Sequence, residues 1–186
     1  MNAGKSLALL QVAFNYEEQK QPVAVFTANR DNRYAVGKVT SRLGLSRDAH
    51  CYTSDTDFVK VISTLQPLAC VMVDEAQFLS ALQVQQLHRV AQLLGVPVIC
   101  YGLRTDFQGN AFPGSAVLLA LADDLEELKT ICACGCRKAS MNMRIDAAGN
   151  KVNEGEQVEI GGNGRYRSVC PSCFYAAEDA ASRLLN

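Results

Sequence analysis

Three short apolar runs, separated by segments with the spacing of amphipathic helices, constrain the fold of this chain most strongly. The runs are rich in β-branched residues and span 22–28, 69–73 and 96–103. Between them, residues 55–65 and the stretch from Ser80 to Gly95 carry apolar residues at helical intervals. Because strands that are apolar throughout are covered on both faces, this alternation predicts an α/β fold with a parallel sheet flanked by helices.

The composition of the sequence changes near residue 130. Cysteines, glycine-rich turns and alternating polar residues follow, with a hairpin or long loop predicted over 152–166 and a terminal helix over 174–185. We therefore expect two domains, one formed by residues 1–129 and a smaller one formed by residues 130–186.

Charge and hydropathy favour small-molecule ligands. The 186 residues carry a formal net charge of −1 and no block of Lys and Arg, which argues against a general binder of nucleic acid or of membrane surfaces. No apolar run approaches the roughly 20 residues of a membrane span, and no signal peptide precedes the first motif. We expect a cytoplasmic location.

Gly4, Lys5 and Ser6 match the last three positions of the phosphate-binding loop G-x-x-x-x-G-K-[ST]. A surface tripeptide of this kind also arises by chance. The functional interpretation is favoured because Ser6 opens an apolar segment with roughly helical spacing, and a helix amino terminus directly after the glycine suits a phosphate. The first positions of the loop and the strand that delivers them would then lie upstream of Met1.

Asp74 and Glu75 follow the second apolar run directly. An acid at the end of a neighbouring strand holds Mg²⁺ in nucleoside triphosphate sites, although a solvated strand end gives the same pattern. Coupled to Gly4-Lys5-Ser6, the metal interpretation is favoured. Glu75 is then the candidate base, because phosphoryl transfer to an alcohol gains from a carboxylate that accepts the hydroxyl proton.

Five of the eight cysteines fall in two tight groups in the last third of the chain. Cys170 and Cys173 have the C-x₂-C spacing of half a zinc site. The other half has three candidates for two places, namely Cys132, Cys134 and Cys136. We prefer Cys132 and Cys134, since Gly135 then supplies the turn, but Cys136 stays a rival. The distance of these groups from the phosphate loop predicts a structural zinc ion.

The sequence leaves two interpretations for each of two aromatic and two basic residues. Phe78 follows the Asp-Glu pair, and Phe107 follows the third strand, so each fits either a core position or a stacking position for a planar base. Arg33 and Arg104 fit either solvated charges or phosphate clamps, and spacing does not decide between them.

In combination, several segments resemble the type II thymidine kinases, the family of the bacterial and human cytosolic enzymes. The resemblance covers essentially the whole chain and is carried by MNAGKS at 1–6, DNRY at 31–34, VDEAQF at 73–78, YGLRTDFQG at 101–109, LKTIC at 128–132 and EIGGNGRYRSVCPSC at 159–173.

The resemblance implies ATP-dependent phosphorylation of the 5′-hydroxyl of thymidine, with deoxyuridine as a second substrate. Glu75 would be the proton acceptor. The positions that it implies for ATP and Mg²⁺ are Met1, Asn2, Ala3, Gly4, Lys5, Ser6, Asp31, Arg33, Asp74, Glu75, Ala76 and Gln77.

For the nucleoside, the resemblance implies a thymine pocket and a lasso loop that reads the base largely through main-chain groups. The pocket positions are Met1, Phe78, Leu103 and Phe107, and the lasso positions are Gln157, Val158, Glu159, Ile160, Gly161 and Tyr166. It also implies a homotetramer, dTTP as a feedback inhibitor, and a structural Zn²⁺ that anchors the lasso.

Two rival interpretations differ in class. Relatives carry a further N-terminal segment that forms the first sheet strand and the start of the phosphate loop, so one rival is a nucleotide-binding protein with impaired catalysis. The other rival is a zinc ribbon that binds nucleic acid, which the near-neutral charge opposes.

Overall fold

The computed structural model describes residues 2–29, 37–159 and 162–183, without the side chains of residues 162, 163 and 178–183. These residues form two compact units. One consists of Gly4–Arg104 with Phe112–Leu125, and the other of Met1–Ala3, Thr105–Ala111 and Glu126–Asn186. We call them the sheet unit and the cysteine unit.

The sheet unit is built on a parallel sheet, as the apolar runs predict, and this sheet has four strands, one more than those runs. Its strands in chain order are β1 (Val23–Ala28), β4 (His50–Tyr52), β5 (Cys70–Val73) and β6 (Val98–Cys100). The spatial order is β4-β1-β5-β6, and every neighbouring pair is parallel. A separate antiparallel pair joins β2 (Lys38–Thr40) to β3 (Ser46–Asp48).

Helices cover both faces of this sheet. Val25 and Met72 point to one face, where they pack with Leu9 and Ala13 of α1 (Lys5–Glu18). Phe26, on the opposite face, belongs to a larger apolar cluster. That cluster also contains residues of α2 (Phe58–Thr64), α3 (Ala81–Leu94) and α4 (Pro113–Leu121). Alternation of side chains along buried strands therefore produces the two-sided core.

The start and stop signals of α3 act as the sequence predicts. The Ser80 hydroxyl accepts from the Gln83 N–H, and the Gln83 side chain accepts from the Ser80 N–H, which completes a capping box. Gly95 ends the helix in the left-handed conformation at φ 64°. The helix predicted over 55–65 begins later, at Phe58, because the Asp57 carboxylate caps it through the Lys60 N–H.

The cysteine unit contains an antiparallel hairpin and two helices. Strand β7 (Met141–Arg144) pairs with β8 (Tyr166–Val169), and most of the predicted hairpin or loop over 152–166 connects these two strands. A short helix, α5 (Gly162–Arg165), precedes β8, and α6 (Pro171–Arg183) follows it. The small core of this unit consists of Cys132, Met143, Ile145, Val169, Cys170 and Phe174.

Candidate active site and metal centre

The amino end of α1 has the backbone form of an anion site. Gly4 adopts the left-handed conformation at φ 74°, which a side chain would strain, and it immediately precedes the helix. No side chain of the described residues caps α1. The first-turn N–H groups, next to Lys5 and Ser6, are therefore able to bind an anion such as a phosphate.

Ser6 and Asp74 meet beside this helix end. The Ser6 hydroxyl donates to Asp74 Oδ2 at 3.0 Å, although the two residues are 68 positions apart. Asp74 is only 4% exposed, and its Oδ1 has no hydrogen-bond partner among the residues that the structure describes. A hydroxyl and a buried carboxylate with one unused oxygen fit Mg²⁺, which prefers oxygen ligands and keeps several waters.

Burial governs the acidity of Asp74. Burial and, second, the charge of the adjacent Glu75 raise the pKa of Asp74 from 3.8 to about 6, while the Ser6 hydrogen bond and Lys5 act in the opposite direction. The folded metal-free protein thus holds a proton there between about pH 4 and pH 6 that the unfolded chain releases. A nearby cation would stabilise the ionised carboxylate and lower the pKa of Asp74 again.

Asp74→Asn is expected to stabilise the metal-free protein. Since the folded pKa is raised, the unfolded state binds fewer protons, and stability falls as pH rises through the window from 3.8 to about 6. Asparagine carries no charge, so the variant removes the free-energy cost of keeping the buried carboxylate ionised. This cost is up to about 3 kcal/mol at pH 7.5 and about half of that at pH 5. Urea unfolding of both proteins at these two pH values, in chelator without nucleotide, measures the difference; an equal difference at both pH values would contradict it.

Glu75 is fixed by its backbone. It adopts the left-handed conformation at φ 53°, which is uncommon for a non-glycine residue and costs about 1 kcal/mol. Its carbonyl oxygen accepts from the Tyr52 hydroxyl at 2.8 Å. The next residue, Ala76, donates its N–H to the Tyr101 carbonyl at 2.9 Å. Tyr52, at the end of β4, and Tyr101, directly after β6, therefore fix the backbone that carries the half-buried Glu75 side chain.

The side-chain amide of Gln77 joins Glu75 to the segment after β6. Its Nε2 donates to Glu75 Oε2, and its Oε1 accepts from the Leu103 N–H at 3.0 Å. Gly102 permits this approach, because a Cβ atom there would lie 3.0 Å from the main-chain nitrogen of Gln77 and 3.2 Å from its Oε1. Gln77 is 2% exposed, so the amide holds the Glu75 carboxylate in one orientation.

The aromatic residues with open roles have different surroundings. Phe78, also in the sheet unit, is half-buried and makes an edge-to-face contact with Phe112, with ring centroids 6.0 Å apart. Phe107 lies in the cysteine unit and is 1% exposed. The guanidinium carbon of Arg144 lies 3.8 Å from the centroid of the Phe107 ring. Arg104 is exposed.

The described lasso positions also lie in the cysteine unit. Gln157 is exposed, Val158, Glu159 and Tyr166 are half-buried, and the Glu159 N–H donates to the Tyr166 hydroxyl at 3.2 Å. The site positions outside the described residues are Met1, Asp31, Arg33, Ile160 and Gly161.

Four thiols converge into a candidate metal centre. The Sγ atoms of Cys132, Cys134, Cys170 and Cys173 all lie within 4.8 Å of one another. Four sulfurs at about 2.3 Å from a tetrahedral Zn²⁺ are about 3.8 Å apart, and the Cys134 and Cys170 sulfurs are 3.9 Å apart. The thiol set and its dimensions therefore fit zinc.

Cys136 lies beside this cluster but is not a member of it. Its thiol is exposed and donates to the Cys134 carbonyl oxygen at 3.4 Å. Gly135, at φ 73°, makes the turn between the two cysteines, and its N–H donates to the Cys132 carbonyl at 2.9 Å. The Cys136 N–H is the main cause that lowers the pKa of the Cys134 thiol, to about 6. Thiolates accept N–H hydrogen bonds and bind metals, which favours Cys134 as a ligand.

The sequence does not reveal two residues that the structure places around these groups. Tyr52 holds the Glu75 carbonyl, but its strand has only three residues and therefore no readable periodicity. Arg144 is buried at the end of β7, opposite Tyr166, and no local pattern in the sequence predicts that burial.

These features define a class: an α/β protein with a parallel four-stranded sheet flanked by helices and with four cysteines able to bind a metal. Comparison with known sequences narrows it further. The family model described as thymidine kinase matches residues 1–174. The chain belongs to the thymidine kinase family, and it is an enzyme of that family.

Curated bacterial relatives match nearly the whole chain. The thymidine kinase of Chromobacterium violaceum is 56% identical over 175 residues, which cover 94% of this chain and 94% of the relative. That of Vibrio cholerae is 56% identical over 173 residues, covering 91% and 90%. That of Yersinia pseudotuberculosis is 53% identical over 184 residues, covering 97% and 93%. A separate observation is that no helix among the described residues has the length and apolarity to cross a membrane.

Proposed function

We propose that the chain transfers the γ-phosphoryl group of ATP to the 5′-hydroxyl of thymidine, giving dTMP and ADP, with deoxyuridine as a second substrate. The observation that carries this proposal is the placement of Ser6, Asp74 and Glu75 at the amino end of α1 and the carboxyl end of β5. Membership of the thymidine kinase family supports the choice of nucleoside.

The phosphate side of the proposed site is formed by the amino end of α1. Its first-turn N–H groups and the Lys5 ammonium bind the phosphates of ATP, with Asn2 and Ala3 leading into the loop. Ser6 and Asp74 would hold Mg²⁺, which would neutralise negative charge on the phosphate oxygens. We assign the turn formed by Ala76 and Gln77 to the same neighbourhood, together with three positions outside the described residues, Met1, Asp31 and Arg33.

Glu75 acts as the general base in this proposal. The 5′-oxygen attacks the γ-phosphorus, the bond from that phosphorus to the bridging oxygen breaks, and the hydroxyl proton passes to the Glu75 carboxylate. The hydrogen bond from Gln77 and the backbone contact with Tyr52 keep the carboxylate in place. In-line transfer depends on positioning more than on covalent chemistry by the protein, so this fixation contributes directly to rate.

Among the residues that we assign to the nucleoside, Phe78 and Leu103 belong to the sheet unit, and Phe107 and the lasso belong to the cysteine unit. The lasso is the segment Gln157, Val158, Glu159, Ile160, Gly161 with Tyr166. Met1, which lies outside the described residues, is also assigned to the nucleoside. We further propose that residues 1–129 form the kinase domain and residues 130–186 the lasso domain. Zn²⁺ bound by Cys132, Cys134, Cys170 and Cys173 would hold the two ends of the lasso segment together.

A direct assay tests the proposal. The purified chain is incubated with Mg-ATP and thymidine, and dTMP is measured by chromatography. The matched control substrate is 5′-deoxythymidine, which presents the same base but lacks the accepting hydroxyl. We expect dTMP from thymidine and no ATP-dependent product from the control.

The alternative, a nucleotide-binding protein with impaired catalysis, is not favoured. The relatives named thymidine kinase align with 91–97% of the chain at over 50% identity. ATP binding without phosphate transfer to thymidine or deoxyuridine would restore that alternative. Homotetramer formation and inhibition by dTTP stay predictions from the family resemblance, and a cytoplasmic location stays a prediction from the sequence.

A further inference from the structure

One buried cation in the cysteine unit has no part in the proposed chemistry. Arg144 is the last residue of β7 and lies opposite Tyr166 in the β-ladder. Its side chain is 3% exposed. A guanidinium group carries five N–H donors and a permanent charge, so its burial is costly unless the surroundings satisfy it.

The hydrogen bonds of Arg144 go to the lasso segment. Its Nε and Nη2 donate to the Tyr166 hydroxyl at 3.1 and 2.7 Å, and Nη2 also lies 3.4 Å from the Gln157 carbonyl oxygen. A carboxylate oxygen of Glu159 lies 3.7 Å from Nε and balances the charge. Just before the lasso segment, the chain also passes close to the guanidinium at Gly155, where a Cβ atom would lie 3.2 Å from Nη1. The Arg144 side chain thus bonds Gln157 and Tyr166 and lies beside the chain at Gly155.

The same guanidinium group contacts the second nucleoside-side segment of this unit. Its central carbon lies 3.8 Å from the centroid of the buried Phe107 ring, within range of a cation–π interaction. The neighbouring Asp106, 4% exposed, accepts from the Gln157 side-chain amide at 3.0 Å. Arg144 therefore joins Phe107 to Gln157 and Tyr166, and the hydrogen bond from Gln157 to Asp106 is a second connection between the two segments.

We propose that Arg144 is a positioning residue for the nucleoside. It holds Phe107, Gln157 and Tyr166 in the arrangement that receives the base before substrate arrives. The inference rests on the proposed function, because it takes these residues as nucleoside contacts. Without Arg144 the segment must be ordered at the moment of binding, and that ordering cost falls on nucleoside affinity while ATP affinity is spared.

The first test separates nucleoside binding from ATP binding. Arg144→Met keeps the apolar stem and removes the donors, Arg144→Lys keeps the charge without the planar fork, and Arg167→Met removes an exposed arginine of β8 as the matched control. We expect the KM for thymidine to rise about tenfold or more in Arg144→Met and less in Arg144→Lys, with the KM for ATP changed by less than about twofold. Arg167→Met should match the wild type. Equal increases in both KM values, or none, would overturn the proposal.

The second test needs no thymidine. Protease Glu-C cuts after Glu154, Glu156 and Glu159, so the rate of these cuts in the zinc-loaded full-length protein reports how well the segment is ordered. We expect Arg144→Met to be cut several-fold faster than the wild type or Arg167→Met at equal zinc content. Unchanged cleavage would refute the role of Arg144. If Arg144→Met does not fold, Arg144→Lys carries both tests. A wild-type chain inactive on thymidine would defeat the proposed function, and the cleavage rates would still decide whether Arg144 orders the segment.

Discussion

Glu75→Gln is expected to lower the turnover number for thymidine by about 100-fold or more, the range that follows loss of a general base. The amide has the shape of the carboxylate but does not accept the hydroxyl proton. Its Oε1 still accepts from Gln77, and the backbone contacts with Tyr52 and Tyr101 are unchanged. The loss should therefore appear in kcat, measured as dTMP formed at saturating thymidine and Mg-ATP.

The matched control is Glu18→Gln, which makes the same chemical change at an exposed position at the end of α1. We expect its kcat to equal that of the wild type. The KM for ATP should be unchanged in both variants, and the midpoint of thermal unfolding should not fall in either, because neither removes a buried contact and loss of the Glu75 charge eases the burial of Asp74. A kcat of Glu75→Gln within a few-fold of the wild-type value would exclude Glu75 as the base.

The sheet and its covering helices are largely predictable from the sequence, because their signals are local. The runs 22–28 and 69–73 become β1 and β5, and Ser80 and Gly95 bound α3. Local signals fail where an element is short or lacks contrast between its faces. Strand β4 has three residues, only one of them buried, and it is not predicted. Helix α4 is apolar nearly throughout, so it has no periodicity to read.

The residues that carry the chemistry of the candidate site are predictable from the sequence, whereas the residues that hold them in place are less so. The motif Gly4-Lys5-Ser6 and the acids Asp74 and Glu75 are recognisable because phosphate and metal chemistry requires those residue types. The hydrogen bond from Ser6 to Asp74 spans 68 positions, so only the fold reveals it. The same holds for Arg144, whose hydroxyl partner on Tyr166 is 22 positions away. Supporting residues carry no chemical signature of their own and are identified by contacts.

Cys134→Ser is expected to remove zinc from the protein, whereas Cys136→Ser retains it. The two thiols are both exposed and only two positions apart, yet only that of Cys134 lies with Cys132, Cys170 and Cys173. A serine hydroxyl is a poor zinc ligand at neutral pH, so losing one thiolate of four should weaken binding by about 100-fold or more. Zinc per chain, measured by atomic emission after dialysis against a chelator, gives the comparison.

The same pair of variants decides the question that the C-x-C-G-C sequence leaves open. Cys132 and Cys170 are buried members of the small core with Val169, which ends the β8 strand that begins at Tyr166. Loss of zinc should therefore loosen the hairpin and raise the KM for thymidine in Cys134→Ser more than the KM for ATP. If Cys136→Ser loses zinc while Cys134→Ser keeps it, Cys136 is the ligand. Full zinc content in both variants would refute the four-thiol site, because neither thiol would then be required.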